Sequence, residues 1–421
     1  MSQTRPRKID FVARDKNRFP NSFHTEQQKG AITIFAAFAF IVLLGFISLA
    51  VDTGRAFAVK SELQNAADSC ALAGVLELNG SGNALTRAEN VAIRAGKLNY
   101  VKFQSANPDI ASSDITFSES LNGTFSSKND GAKNSSHYIR CSLNVPSLLS
   151  SFGGVIGFDN FSIHAVAVAG VRASQTTCSL PMSLCRGNQV GASSENFGYL
   201  PSQSVAELGG NQTSGFFTWT NVLGNTNSGL SDYQEAFRAS GKCGVMTAPN
   251  RCIAVNTGVI TSLDEDWNAR FGVYKASSTL DPSISSNTRP SMPDLTGHGY
   301  STEDPNKIIS DYLEVKVPAR APFSGLIPGY TTNATINSTY GTSYRRLTVM
   351  PVVDCASATC GTGAKPIVGW ACVLMFSPKT PSGSAKILFI GRADSLSSPC
   401  RVSGVPGGGN SIGPMVPVLF Q

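Results

Sequence analysis

Ala31 to Val51 is a run of 21 residues, AITIFAAFAFIVLLGFISLAV, without a single charged side chain. As a helix rising ~1.5 Å per residue it spans roughly 30 Å, the thickness of a bilayer hydrocarbon core. Lys29 bounds it on one side, Asp52 and Arg55 on the other. Helices buried in a soluble core seldom run this far without a polar face, so the run reads as one transmembrane helix. Ser48-Leu49-Ala50 offers the small-x-small pattern of a signal-peptidase site, which makes a cleaved leader the rival reading. Against it, the apolar run exceeds the usual ~7–15 residues of a leader, and the helical pattern continues through the site. Both readings send the chain beyond Asp52 across a membrane.

Orientation follows from charge. Residues 1–30 carry seven basic side chains (Arg5, Arg7, Lys8, Arg14, Lys16, Arg18, Lys29) against Asp10, Asp15 and Glu26, which is +4 of the chain's net +6. That excess lies directly before the span, where the positive-inside rule expects a cytoplasmic tail. The remaining +2 makes no basic face, so no nucleic-acid partner is expected. The expectation is a single-pass protein of a bacterial inner membrane. Residues 1–30 form the cytoplasmic tail and the bulk is periplasmic or extracellular.

Beyond Asp52 the apolar positions Ala56, Val59, Leu63, Ala66, Cys70 and Ala73 recur at spacings of three and four, one stripe of a helix made of small residues. No Pro interrupts Ala31–Leu78, so one helix runs from the membrane into an amphipathic stalk, ended by Asn79-Gly80-Ser81-Gly82. A second helix is expected over Leu85–Asn99. Asp114–Ser120, His137–Val145 and Phe161–Val171 read as strands. In the last of these Ile163, Ala165, Ala167 and Ala169 share one face. Gly30, the block Asp52, Gly54-Arg55, Leu63-Gln64-Asn65-Ala66-Ala67-Asp68 and Ala71-Leu72-Ala73-Gly74 resemble the N-terminal segment of TadE/TadG-like Flp (tight adherence, Tad) pilus assembly proteins. The resemblance covers about residues 28–171. Trp219, Asn268-Ala269-Arg270-Phe271-Gly272, Pro351-Val352-Val353-Asp354-Cys355 and Val416-Pro417-Val418-Leu419 are similar to longer TadG-like relatives. The resemblance implies a structural role in pilus assembly and pilus or secretion-machinery proteins as partners. It departs from pilins at Phe35, where a processed pilin carries a Glu five residues past its cleaved Gly, so an unprocessed anchor is expected.

Residues 172–421 read as a second, mostly β region. Charged residues are 15% of the chain, against ~25% in ordinary soluble domains. Tyr312–Val317, Arg346–Val353, Ile367–Phe376, Lys386–Gly391 and Met415–Phe420 are strand-like, and a short helix or turn is expected within Leu263–Tyr274. Ten cysteines, Cys70, Cys141, Cys178, Cys185, Cys243, Cys252, Cys355, Cys360, Cys372 and Cys400, come after the span. Downstream of an export segment they suggest a disulfide framework in an oxidising compartment. Short spacings point to local bridges Cys178–Cys185 and Cys243–Cys252. Cys355, Cys360, Cys372 and Cys400 pair in any of three ways, and Cys70 on the helix with Cys141 on a strand is a further pairing. The spacings do not fit a zinc knuckle.

No catalytic constellation emerges. Gly409-Asn410-Ser411-Ile412-Gly413 matches G-x-S-x-G, but no His comes after it and the surroundings are Gly- and Pro-rich. His298 sits alone in a polar loop. Asp264-Glu265-Asp266 lacks EF-hand spacing and reads as a solvated turn. Asp354-Cys355-Ala356-Ser357-Ala358 has alanines where a D-x-S-x-S metal motif needs serines. No cofactor, metal or catalytic residue is assigned.

The fold class expected is α+β: an N-terminal transmembrane and stalk helix with a small pilin-like antiparallel sheet, then a mostly β, disulfide-stapled outer domain. The boundaries are 1–30 (tail), 31–51 (span), 52–171 (stalk and sheet) and 172–421 (outer domain). The function expected is a non-catalytic scaffold of Flp/Tad pilus assembly, with self-association through the N-terminal helix at Gly45 and the small-residue stripe. A membrane-anchored adhesin or ligand-binding surface protein is the alternative, with Phe216, Phe217, Trp219 and Trp267 as its contact residues.

Overall fold

The structure is a computed structural model that describes residues 31–150, 159–188, 194–206, 216–222, 230–239, 241–256, 260–296, 304–315, 327, 329–332, 334–380, 384–400 and 404–420. The chain divides into two compact units, one of Met1–Ala56 with Leu149–Phe161, the other of Phe57–Leu148 with Ser162–Gln421.

One helix, α1, runs unbroken over Ala31–Val75. In the first unit its large apolar side chains are exposed: Phe35 is 75% exposed, Phe38 65% and Leu49 64%. This segment is long and apolar enough to cross a membrane, with a mean hydropathy of 2.8 over its best window. The first unit also holds the ends of β2 (Tyr138–Leu149) and β3 (Asn160–Ala173), where the Ser150 N–H donates to the Asp159 carbonyl at 3.0 Å.

In the second unit the remainder of α1 packs with α2 (Ala84–Lys97) on β1 (Ile115–Ser118), β2 and β3. The expected second helix is present, with Arg94 and Lys97 in its last turn where they favour the helix dipole. Strand β2 buries Ile139, Cys141, Leu143 and Val145 in alternation, and β3 buries Ala165, Ala167 and Ala169. The period of two thus sets one face of this sheet against the helices.

The chain continues through β4 (Thr176–Ser179), β5 (Met182–Cys185), β6 (Ser204–Ala206), β7 (Phe217–Asn221), α3 (Leu230–Arg238), β8 (Lys242–Met246) and β9 (Cys252–Val255). After these come α4 (Asp264–Ala269), β10 (Val273–Lys275), α5 (Pro305–Leu313), β11 (Tyr330–Thr332), α6 (Ala334–Tyr340), β12 (Leu347–Val353), β13 (Ala364–Ser377), β14 (Lys386–Arg392) and β15 (Met415–Phe420). Nine strands form one sheet ordered β6-β14-β13-β9-β7-β5-β12-β4-β8, with β12 and β13 also paired. That extra pairing closes β5, β7, β9, β13 and β12 into a ring, so the middle of the sheet has no free edge. Strands β5, β7, β12, β13 and β14 pack with α3 and α4 on an aromatic core. The Phe217 and Trp267 rings stack at 5.9 Å, and Trp219 meets Phe237 edge-on at 5.6 Å.

Three expectations change. Of the expected strand Tyr312–Val317, Tyr312 and Leu313 end a helix instead, and residues 316–317 lie outside the described residues. Asp304 caps a helix by accepting from the Asn306 N–H, and Pro305 occupies the first turn. Ile308 and Tyr312, one turn apart, then fill the core from α5. A capped start outweighs the short alternation of YLEV. The strand Met415–Phe420 forms where expected but pairs antiparallel with β3, Met415 opposite Ala173 and Phe420 opposite Val168. It therefore completes the four-stranded sheet β1-β2-β3-β15 rather than the larger one. Gly170 makes this possible: a Cβ there would lie 2.6 Å from the Tyr138 ring and 2.9 Å from Phe420.

The third change concerns the cysteines. All ten are paired, as Cys70–Cys141, Cys178–Cys243, Cys185–Cys355, Cys252–Cys360 and Cys372–Cys400. Neither local bridge forms. Strands β4 and β5 lie in sequence alongside β12, Ser179 opposite Val349 and Cys185 opposite Val353. An extended run at ~3.3 Å per residue puts Cys178 and Cys185 roughly 20 Å apart, against the ~6 Å a disulfide spans. Each finds its partner on another segment: Cys178 on β8, and Cys185 just past the end of β12.

Candidate functional site

The residues of the LQNAAD block act together at the seam between α1 and the four-stranded sheet. Val59, Leu63, Ala66, Ala67, Cys70, Ala71 and Val75 are fully buried. The strand face they meet is lined by alanine, so the helix comes within reach of the sheet's backbone. Gln64 Nε2 donates to the Val166 carbonyl at 3.1 Å and to Asp68 Oδ1 at 2.8 Å, and the Lys60 ammonium donates to the His164 carbonyl. Asp68 thus orients the Gln64 amide, while Asn65 faces outward. The Cys70–Cys141 bond, Cα atoms 6.3 Å apart, ties helix to strand. Two glycines set the spacing. A Cβ on Gly74 would lie 2.5 Å from Ile139 Cδ1 and 3.0 Å from Ala92 Cβ. A Cβ on Gly96 of α2 would lie 3.2 Å from Cys70 Cβ.

The turn between the helices is held by Arg87. Its guanidinium reaches Glu77 at 2.9 Å and the Asn79 side chain at 2.9 Å. Glu89, 2% exposed, takes Lys128 at 2.7 Å and the Ser112 hydroxyl at 2.9 Å. Glu62 accepts from the Phe103 N–H at 2.9 Å, fixing a loop in which Lys102, Phe103 and Gln104 all have positive φ. Sequence periodicity finds the apolar stripe. It does not find these polar contacts, which join residues far apart in the chain, as Gln64 and Val166 are.

The residues singled out for their chemistry do not assemble into a site. Ser411 lies in a turn, its N–H bonded to the Gly408 carbonyl, with strand β15 rather than a helix after it. His298 lies outside the described residues. Asp264, Glu265 and Asp266 form the first turn of α4, not a solvated turn. They pair separately, with Lys379 at 2.7 Å, Lys275 at 3.5 Å and Arg238 at 3.2 Å. Burial pushes Asp266 up to about 6 although Arg238 pulls the other way. Asp354 Oδ1 accepts from the Ala356 N–H at 3.1 Å in a closed turn. Among the described residues no group of three acidic, His or Cys side chains could hold a metal. Phe217, Trp219 and Trp267 are 0%, 1% and 0% exposed; they are core, not the contact face the adhesin alternative needs. Phe216 is half-buried.

Sequence reasoning misses a buried arginine cluster. The Arg270 guanidinium donates to the Phe237 and Ala239 carbonyls at 2.8 Å each, and Arg345 to the Arg238 carbonyl at 2.9 Å, so two cations cap the C-terminus of α3. Burial, then the nearby Arg345, pushes Arg270 down to about 9. Arg346 lies between the rings of Phe271 and Tyr312 and donates to the Thr296 carbonyl at 2.7 Å. Asp294 accepts from the Tyr312 hydroxyl at 2.6 Å, and burial with the Asp294 charge holds Tyr312 well above its ordinary range. The cluster is closed on itself and bonds helix ends to the sheet. Its sequence signal is the Asn268–Gly272 block, whose Arg270 side chain makes the α3 cap.

Residues 30–77 match the family model described as putative Flp pilus-assembly TadE/G-like. The match takes in all of α1, including the exposed apolar segment and the LQNAAD seam. No curated protein and no solved structure matches the chain.

Proposed function

We propose that this chain is a membrane-anchored structural component of Flp/Tad pilus assembly. Its N-terminal tail is cytoplasmic and its disulfide-bonded bulk lies outside the inner membrane, in contact with pilus or secretion-machinery proteins. The observation that carries the reading is the single helix α1, which joins an uncharged exposed span to a buried, disulfide-locked seam within the segment matched by the family model. Five disulfides support an oxidising compartment, and the charge of residues 1–30 supports the orientation. The role proposed is scaffolding, with no catalytic residue assigned. The adhesin alternative has lost its main candidate residues to the core.

A clean deletion in the native host, complemented by a plasmid copy, tests the reading. The expected result is loss of surface filaments counted by electron microscopy while the major pilin is still made. Normal filament numbers in the deletion strain count against a required role in assembly.

A further inference from the structure

We propose that the paired ends of β2 and β3 form a second membrane contact, seated on phospholipid beside the span. The inference rests on the reading of residues 31–51 as a bilayer span. Asp52 is the first charged residue after the uncharged run, so it marks the level at which the helix leaves the hydrocarbon. Its carboxylate is 5% exposed and accepts from the Ser150 hydroxyl. The backbone pair from Ser150 to Asp159 then holds both strand ends together at that level.

The chemistry of these ends suits lipid. Leu149, next to Ser150, is 69% exposed. The sequence from Cys141 to Phe158 holds no charged residue, and Arg140 and Asp159 bracket it. Here Leu149 adds an apolar side chain to a unit that already exposes Phe46 and Leu49 of the span, at 69% and 64%. A bilayer interface accepts both parts at once, apolar side chains toward the acyl chains and the Ser150 and Asp159 groups among the headgroups. Phospholipid is therefore the occupant. The contact fixes the rotation of α1 about its own axis, because strand ends held at the interface allow only one side of the helix to face them.

The full chain, reconstituted in vesicles of phosphatidylethanolamine and phosphatidylglycerol, tests this with the photo-crosslinker p-benzoylphenylalanine placed at Leu149 or at Leu43. Both sites are exposed, 69% and 54%, so the probe displaces no core. Irradiation is expected to add the mass of one phospholipid at each position. A lipid adduct at position 43 without one at 149 overturns the interfacial contact and leaves the span standing, whether position 149 gives a protein cross-link or no product. Absence of lipid at both positions overturns the span reading as well.

Discussion

The four-stranded and the nine-stranded sheets of this chain are packed by opposite means. The four-stranded sheet meets its helices through Ala66, Ala67, Ala165, Ala167 and Ala169, with Gly74 and Gly96 at the tightest points. The nine-stranded sheet encloses Trp219, Trp267, Phe217, Phe237 and Phe271. Small residues bury little apolar area each, but they let backbones approach until side-chain amides reach main-chain carbonyls, as Gln64 does. Large rings bury roughly 150–250 Å² apiece and hold layers apart. The first arrangement belongs to a helix whose other end is an exposed apolar segment long enough to cross a membrane. The second surrounds large rings with strands that four of the five disulfides tie to one another or to loops.

Substitutions at chosen points separate the two regions. All three tryptophans lie in the larger one, so their fluorescence reports its unfolding alone, while hydrogen exchange on α2 and β2 peptides reports the other. Trp267→Ala is expected to have the largest effect, about 5 kcal/mol by denaturant midpoint, because the indole is fully buried and its Nε1–H donates to the Ser377 carbonyl. An effect below about 1 kcal/mol shows the aromatic core to be loosely packed.

Replacing Cys70 and Cys141 together by Ala opens a bridge with a sequence separation of 71, at a cost of about 4 kcal/mol. Faster exchange in α2 and β2 with an unmoved tryptophan transition is the expected pattern. A tryptophan transition that shifts equally means that the two sheets unfold as one.

Asp266 gives a pH dependence confined to the larger region. Its carboxyl is raised from the ordinary 3.8 to about 6, so between those values the folded state binds more protons than the unfolded. Stability from this group is fully present below about pH 4 and falls as pH rises through about 6, by at most about 3 kcal/mol. Asp266→Asn should remove that part of the decline in chemical denaturation across the same pH window. An unchanged pH slope assigns the decline to other groups.

Gly96→Val is expected to be the mildest, about 2 kcal/mol, since the added methyls press on Ile110 and Cys70. Part of that cost is offset by the better helix propensity of valine over glycine. Neutral behaviour by hydrogen exchange breaks the claim that the seam is tightly packed.

Legibility in the sequence tracks the range of the interaction. The span is one uninterrupted apolar run, and the stalk stripe and most long strands repeat at about 3.6 or 2.0 residues, so each is visible over a single window. Strands β12 (Leu347–Val353) and β14 (Lys386–Arg392) start and end within a residue or so of expectation. The strand reading at Tyr312 fails because a few alternating residues carry less information than the Asp304-Pro305 cap before them. The Asn268–Gly272 block marks Arg270 in the sequence, but not its assembly with Arg345 and Arg346, because the partners at 237–239, 294–296 and 312 are brought in by separate elements.

By itself the sequence determined that an uncharged helix of bilayer length precedes a small-residue stripe, and that all ten cysteines come after the span. Both are local facts of composition and period, and solvation acts on them residue by residue. Only the tertiary structure decided which cysteines pair and which sheet receives the last strand. It also decided whether Trp219 and Trp267 meet solvent. Those outcomes depend on which distant strands become neighbours, which is settled by the packing of the whole chain and by no single segment.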